Sequence, residues 1–369
     1  KLTVSGSYQS SSDESNSYIN NKIVTGATRQ AFVTNSFWQR YQNTNILSYE
    51  KLFNDKHDLK VTGVFEQQKT KSKWNTISSN GFISDATTYK DLSLGKEHLA
   101  FSSNDEDSLD SYLLRFNYGF DNKYLLTLTG RYDRASVFAE NNKAGFFPSI
   151  GLGWNISNES FLKNSKVINN LRLKGSFGEV GNAAIKPYQS LPRLQTGSNF
   201  SFDGSTISNG IIVSPQAPNP DLKWETTRQF NVGVDLTMFD RRLDFTADYY
   251  VKNTSDLLLE RELKQASGFA TQLVNAGEVE NKGFELALTG KIIQKENFQW
   301  NSNVTFSKNK NKIVALNDGE DKIILPSAVG PAFKQAFTLE VGESIGAIKG
   351  VEFDGIWKSN EAVLAAAYG

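Results

Sequence analysis

Between Leu109 and Trp154, apolar and polar residues alternate with a period of two in three successive segments. Such a period places alternate side chains on opposite faces of a strand. In the first segment Tyr112, Leu114, Phe116, Tyr118 and Phe120 share a face. In the second it is Tyr124, Leu126, Leu128, Gly130 and Tyr132, and in the third Phe146, Pro148, Ile150, Leu152 and Trp154. Arg115, Asn117, Thr127, Thr129, Arg131, Asp133, Ser149 and Asn155 fall on the opposite face. Each oily face begins and ends in aromatics. About 9–11 alternating residues with aromatic rims is the form of a strand that crosses an outer membrane.

The same pattern recurs along the chain. It is found in Leu2–Tyr8, Asn35–Lys51, Leu59–Phe65, Leu171–Phe177, Trp224–Met238, Leu243–Val251, Phe284–Leu288 and Phe298–Phe306. It returns more weakly in Ile348–Trp357, which makes about twelve strands. Short connections are expected at 53–57, 121–123, 239–242 and 291–297, and an intermediate one with a helical turn at 157–170. Long loops are expected at 9–34, 71–107, 180–222, 253–281 and 309–345, and a modest one at 135–145. Short turns at one end and long loops at the other are the layout of an outer-membrane barrel. A soluble sandwich has strands of modally about 5–6 residues and no such asymmetry. Unpaired backbone groups in hydrocarbon cost several kcal/mol each, so a spanning sheet must close. The fold class expected is therefore all-β, an antiparallel transmembrane β-barrel, with residues 1–369 one segment of one barrel domain.

Composition narrows the chemistry. Lys plus Arg and Asp plus Glu are 40 each, so charge favours neither nucleic acid nor a polybasic membrane anchor. Cysteine is absent, which removes disulfides, thiol catalysis and zinc–cysteine sites. Aromatics reach 12%. No apolar run approaches the roughly 18 residues of a membrane helix. GESIG at 342–346 has the spacing of a nucleophile elbow, but both histidines, His57 and His98, lie upstream and no helix is expected after it. Its glycines read as turn residues. The acidic segments Asn104–Asp107 and Asn317–Asp321 lack EF-hand spacing and read as solvated loops. No metal or cofactor is expected.

Several segments carry a family resemblance. GRYDRASVFAENNKAGFFPSIGLGWNISNESFL (130–162) and LRLKGSFGEVGN (171–182) resemble SusC/RagA-like TonB-dependent transporters of Bacteroidetes. So do NPDLKWETTRQFNVGVDLTMFDRRLDFTADYY (219–250), NAGEVENKGFELALTG (275–290) and VGESIGAIKGVEFDGIW (341–357). The matches are ordered and span roughly 130–357, whereas residues 1–129 add little distinctive signal. The resemblance implies an outer-membrane barrel of 22 strands with a plug inside it. It implies import of oligosaccharides or peptides driven through the TonB complex, with a SusD-like surface lipoprotein as lid. It implies no covalent chemistry. The plug, the TonB-contacting segment and the last strands are expected outside residues 1–369. A passive porin and a soluble β-rich glycan-binding protein are the competing readings.

In a barrel the charged residues of the polar face point into the lumen. These are Arg115, Arg131, Asp133, Arg172, Lys174, Asp235, Asp244, Asp248 and Glu285, and they are expected to line water or pair with the plug. Charges on the lipid side would cost about 2–4 kcal/mol at midplane, so their confinement to one face fixes the orientation. Phe120, Tyr124, Trp154 and Trp300 are expected as membrane-interface anchors. Trp74, Phe82, Tyr89, Tyr188, Phe200 and Phe202 are the loop aromatics expected to contact ligand or lid, with loop self-packing as the alternative.

Overall fold

The computed structural model describes residues 1–20, 28–201, 207–316, 319–324 and 338–348. Eleven strands form one antiparallel sheet in which each strand pairs with its neighbours in sequence. They are β1 (Leu2–Ile19), β2 (Gln30–Phe53), β3 (His57–Asn80), β4 (Glu97–Phe120), β5 (Tyr124–Ala135) and β6 (Ala144–Asn155). Then come β7 (Ile168–Asn182), β8 (Glu225–Met238), β9 (Leu243–Ser255), β10 (Glu278–Lys295) and β11 (Phe298–Ala315). The sheet is open among the described residues. The weak strand expected at Ile348–Trp357 lies, beyond Ile348, outside them.

The tight turns at one end follow from local chemistry. Asn54 and Asp55 between β2 and β3, and Asp121 and Asn122 between β4 and β5, all have positive φ. Two left-handed residues in a row match the twist of a hairpin, and Asn and Asp tolerate that conformation best after glycine. Phe239, Asp240 and Arg241 do the same between β8 and β9. The connection from β6 to β7 opens with a 3-10 turn at Ile156–Asn158.

Register turns the alternation into a continuous surface. Directly opposed residues share a face. One row runs Tyr118–Leu126–Leu152–Gly175–Val232–Tyr249–Phe284 from β4 to β10. Beside it runs Phe116–Leu128–Ile150–Phe177–Phe230–Val251. Leu114, Leu128, Ile150, Leu152, Phe230, Tyr249 and Phe306 are all substantially exposed, so none of the described residues covers this face. A large bare apolar face marks an interaction with another protein or a membrane. The buried residues lie elsewhere. Their main cluster, Ala135, Val137, Phe138, Phe147, Leu222, Trp224 and Leu273, gathers at the long-loop end.

Two expected loops are shorter than their polar composition implies. The segment 9–34 supplies the ends of β1 and β2, and 71–107 holds the last ten residues of β3 and the first eleven of β4. Only 81–96 between them is loop, with two 3-10 turns. The acidic segment Asn104–Asp107 is accordingly strand, not loop. These extensions carry polar residues on both faces, such as Asn35 opposite Asn75 and Thr34 opposite Thr76. Cross-strand hydrogen bonds hold them, including Thr34 Oγ1 to Thr76 Oγ1 at 2.8 Å. Where water wets both faces, pairing persists and periodicity disappears.

The other long loops also contain short strands. Leu194–Ser201 pairs with Ile207–Val213. Leu258–Glu262 pairs with Thr271–Asn275, to which Gln216–Ala217 adds in parallel. Lys322–Ile324 pairs with Thr338–Glu340. Gly342 and Gly346 of GESIG have φ of +94° and +81°, as turn glycines do. The hydroxyl of Ser344 donates to the Asn311 carbonyl.

Candidate functional site

The long-loop end holds the most constructed region of the molecule. Phe147 has the polar-face parity of β6, opposite Arg131, while its neighbour Phe146 faces the apolar side. A ring needs room on a crowded face, and two glycines provide it. A Cβ on Gly181 would lie 2.0 Å from the Phe147 ring, and one on Gly145 would lie 2.5 Å from it. Trp224 stands against Phe147, with ring centroids 5.4 Å apart, and against Phe138 at 5.0 Å. Its indole N–H donates to the Lys143 carbonyl at 3.1 Å. Trp224 was expected to open a strand. It precedes β8 instead, because burial among Phe138, Phe147 and Leu222 draws it out of the ladder.

Beneath this cluster lies a recess of about 570 Å³ whose lining includes Arg115, Thr129, Arg131, Asp133, Phe147, Ser149 and Trp224. Arg131 donates through Nε to both carboxylate oxygens of Asp133, at 2.9 and 2.8 Å, and through Nη2 to Ser111 at 2.9 Å. Asp133 is buried and the guanidinium is partly exposed, so of this pair it is Arg131 that presents its charge to the recess. Arg115 donates to Thr129 Oγ1 at 3.1 Å. A wall of aromatic surface beside fixed donors and the carboxylates of Asp133 and Glu179 suits a polar organic solute with both flat and hydroxylated or amide surfaces.

The remaining polar-face charges sit lower. Lys174 reaches Asp235 and Asp248, each at 3.0 Å. Gly233 lies between them, and a Cβ there would strike Asp248 Oδ1 at 2.1 Å and Lys174 Cε at 2.6 Å. Arg172 is directly opposite Asp235, and Glu285 is opposite Asp248. Asp244 accepts a hydrogen bond from Thr237 at 2.8 Å. All nine charged residues named from the sequence share the parity opposite to the apolar face.

At the short-turn end His57, Phe120, Tyr124 and Trp154 stand side by side in register. Tyr124 stacks on Phe120 and on Trp154, each with centroids 6.4 Å apart and planes within 17°. The Tyr124 hydroxyl and the Trp154 indole both donate to Glu159, at 2.7 and 3.1 Å, and Lys123 approaches it at 3.5 Å. Those donors, Tyr124 first, hold the Glu159 carboxyl below its ordinary pKa. Trp300 lies on the apolar face of β11 opposite Ile293, half exposed.

Residues 1–331 match the family described as "TonB dependent receptor-like, beta-barrel". The chain belongs to this TonB-dependent receptor barrel family. Its apolar face is therefore the lipid-facing face of an outer-membrane barrel, its tight turns form one rim and its long loops the mouth. Among relatives, TonB-dependent receptor P3 of Formosa agariphila is 37% identical over 86% of this chain and 32% of its own length. TonB-dependent receptor SusC of Bacteroides thetaiotaomicron is 33% identical over 61% of this chain and 22% of its own. The solved RagAB peptide transporter superposes with a TM-score of 0.78 and 29% identity, covering 92% of this chain and 37% of that one. The chain thus spans about a third of the length of these TonB-dependent receptors.

The six loop aromatics fare differently. Trp74 is not in a loop. It lies in β3 opposite Ser36 and Ser103, exposed and on the polar-face parity. Phe82 is not free to meet a ligand, being only 4% exposed. It packs edge-on against Tyr18 at 5.7 Å. The Tyr18 hydroxyl and Arg29 both bind Asp85 at 2.7 Å, and Arg29 also donates to the Phe82 and Ile83 carbonyls, pinning this loop to the tops of β1 and β2. Tyr89 is exposed in the 3-10 turn Thr88–Lys90. Tyr188 is exposed, and its hydroxyl accepts the Glu106 N–H at 3.2 Å. Phe200 falls in the strand Leu194–Ser201, and Phe202 lies outside the described residues. The Phe147–Trp224 pair was missed as a site. The doublet Phe146–Phe147 was its signal, since one member of an adjacent pair must face inward.

Proposed function

We propose that this chain is a wall segment of an active outer-membrane importer, with residues 1–369 belonging to one barrel domain. Solute enters from the loop end, meets the recess under Phe147 and Trp224, and passes along the charged inner face once the plug moves under force from the TonB complex. The nine polar-face charges line that path, and Phe120, Tyr124, Trp154 and Trp300 hold the wall at the membrane interface. A SusD-like surface lipoprotein covers the mouth. Of the six loop aromatics named from the sequence, Trp74, Tyr89 and Tyr188 are exposed among the described residues and available to lid or solute. The cargo is an oligosaccharide or a peptide, the import step breaks no covalent bond, and the protein is not an enzyme.

The observation that carries this reading is the family match over residues 1–331 on a sheet with one bare apolar face and one charged face. The test is growth of the parent bacterium on single glycans or peptides after replacing Arg131 by Ala and Trp224 by Ala in the full-length transporter. Loss of uptake of one nutrient, with normal amounts of folded barrel, supports the reading. Uptake that persists when TonB is deleted would show a passive pore instead.

A further inference from the structure

We infer that the lipid-facing surface of β10 and β11 binds phosphate-bearing headgroups of the outer leaflet. The apolar row on β11 runs Trp300, Val304 and Phe306, then stops. The next three residues of that face are Lys308, Lys310 and Lys312. All three are exposed. On β10 the row Leu288, Leu286, Phe284 gives way at the same level to Lys282, directly opposite Lys310. The patch therefore begins where the oily band ends, on the face that points at lipid and at the end that carries the long loops. That height is the headgroup layer of the outer leaflet.

Among the described residues the patch keeps a net positive charge. Glu280 is the carboxylate within it and is engaged by Lys282 at 2.9 Å. Among the described residues no carboxylate lies within ion-pair distance of Lys308, Lys310 or Lys312. A similar triplet on β3, Lys69, Lys71 and Lys73, is partly neutralised. Lys69 and Lys71 also lie above the band on the outer face, but both pair with Glu106, at 2.5 and 3.4 Å. On β3 two of the three lysines thus share one carboxylate, whereas on β11 none of the three has an ion pair among the described residues. A line of ammonium groups spaced two residues apart, about 6.5–7 Å, suits a surface of anionic phosphates. A zwitterionic or uncharged headgroup would gain nothing from it. The lid covers the mouth, not the lipid flank, so charge and position together favour a lipid.

The experiment uses the full-length transporter in neutral detergent, with phosphorylated outer-leaflet glycolipid as probe and the same glycolipid after phosphatase treatment as control. Native mass spectrometry reads retained lipid across a titration. The wild type is expected to retain the phosphorylated form and release the treated one. Lys308→Gln with Lys310→Gln and Lys312→Gln should weaken retention roughly hundredfold. Lys69→Gln with Lys71→Gln should leave it within about twofold, since those lysines already have a partner. Heat-modifiable migration on gels verifies that each variant is a folded barrel, and uptake by the triple variant keeps this test separate from that of transport. Equal retention of both lipid forms, or an unchanged triple variant, would overturn the inference. So would loss of lid co-purification with lipid binding intact, because the patch would then belong to the lid.

Discussion

The lower and upper halves of β2, β3 and β4 share a backbone and differ in everything else. Below, Leu59, Val61, Phe116 and Tyr118 alternate strictly with polar residues, and the outer row is oily. Above, the ladder continues through Asn75, Trp74 and Ser103 with polar groups on both sides. Hydrogen bonding is the same in both halves, so the period of two is not a property of the strand. It records an environment with lipid on one side and water on the other. Once both sides are wet the record ends, although the strand does not.

The sharpest way to test that contrast is to place the same charge in each half. Leu128→Arg, on the lipid face between Phe116 and Ile150, should lower barrel stability by about 2–4 kcal/mol. Asn75→Arg, on the same face of the upper half, should change it by less than about 0.5 kcal/mol. Denaturant unfolding of the full-length barrel from lipid vesicles reads both, and equal costs would break the comparison. The mouth should respond to volume where the band responds to charge. Gly181→Val puts methyl groups where the Phe147 ring sits and should cost about 1–3 kcal/mol. It should also shift Trp224 emission to the red as Phe147 leaves it, and unchanged emission would argue against the packing described.

Smaller effects come from the paired charges. Lys174→Met leaves Asp235 and Asp248 facing each other without their shared cation and should cost about 1 kcal/mol. Adding Asp248→Asn should recover part of it, which a double-mutant cycle measures. The short-turn rim supplies a pH dependence. Glu159 has its folded pKa depressed by Tyr124 and Trp154, so its contribution is complete above the pKa of the unfolded chain. That contribution is lost as pH falls through the lower, folded value. Glu159→Gln should remove this acid-side slope while leaving stability at the lowest pH unchanged, as an acid titration of the unfolding midpoint would show.

The eleven strands and both faces were legible because lipid writes a repetitive signal. Leu126 and Leu152 need no knowledge of each other to land in one row. The mouth was not legible in the same way. Phe147 meets Trp224 across 77 residues of sequence by way of Gly145 and Gly181, and no local period announces such a meeting. Phe82 shows the same limit, since its burial depends on Tyr18 and on Asp85 binding Arg29. The strand ends between residues 9 and 34 and between 71 and 107 were read as loop because composition alone distinguishes poorly between a polar strand and a polar coil.

Every strand of the large sheet bonds only to the strands before and after it in the chain. Such a wall needs no strand to insert between two others already paired, which suits sequential assembly. Each hairpin can zip onto the growing edge left by the last. The same arrangement makes the bore adjustable over evolutionary time: a duplicated or deleted hairpin widens or narrows the tube by one unit and leaves every other junction as it was.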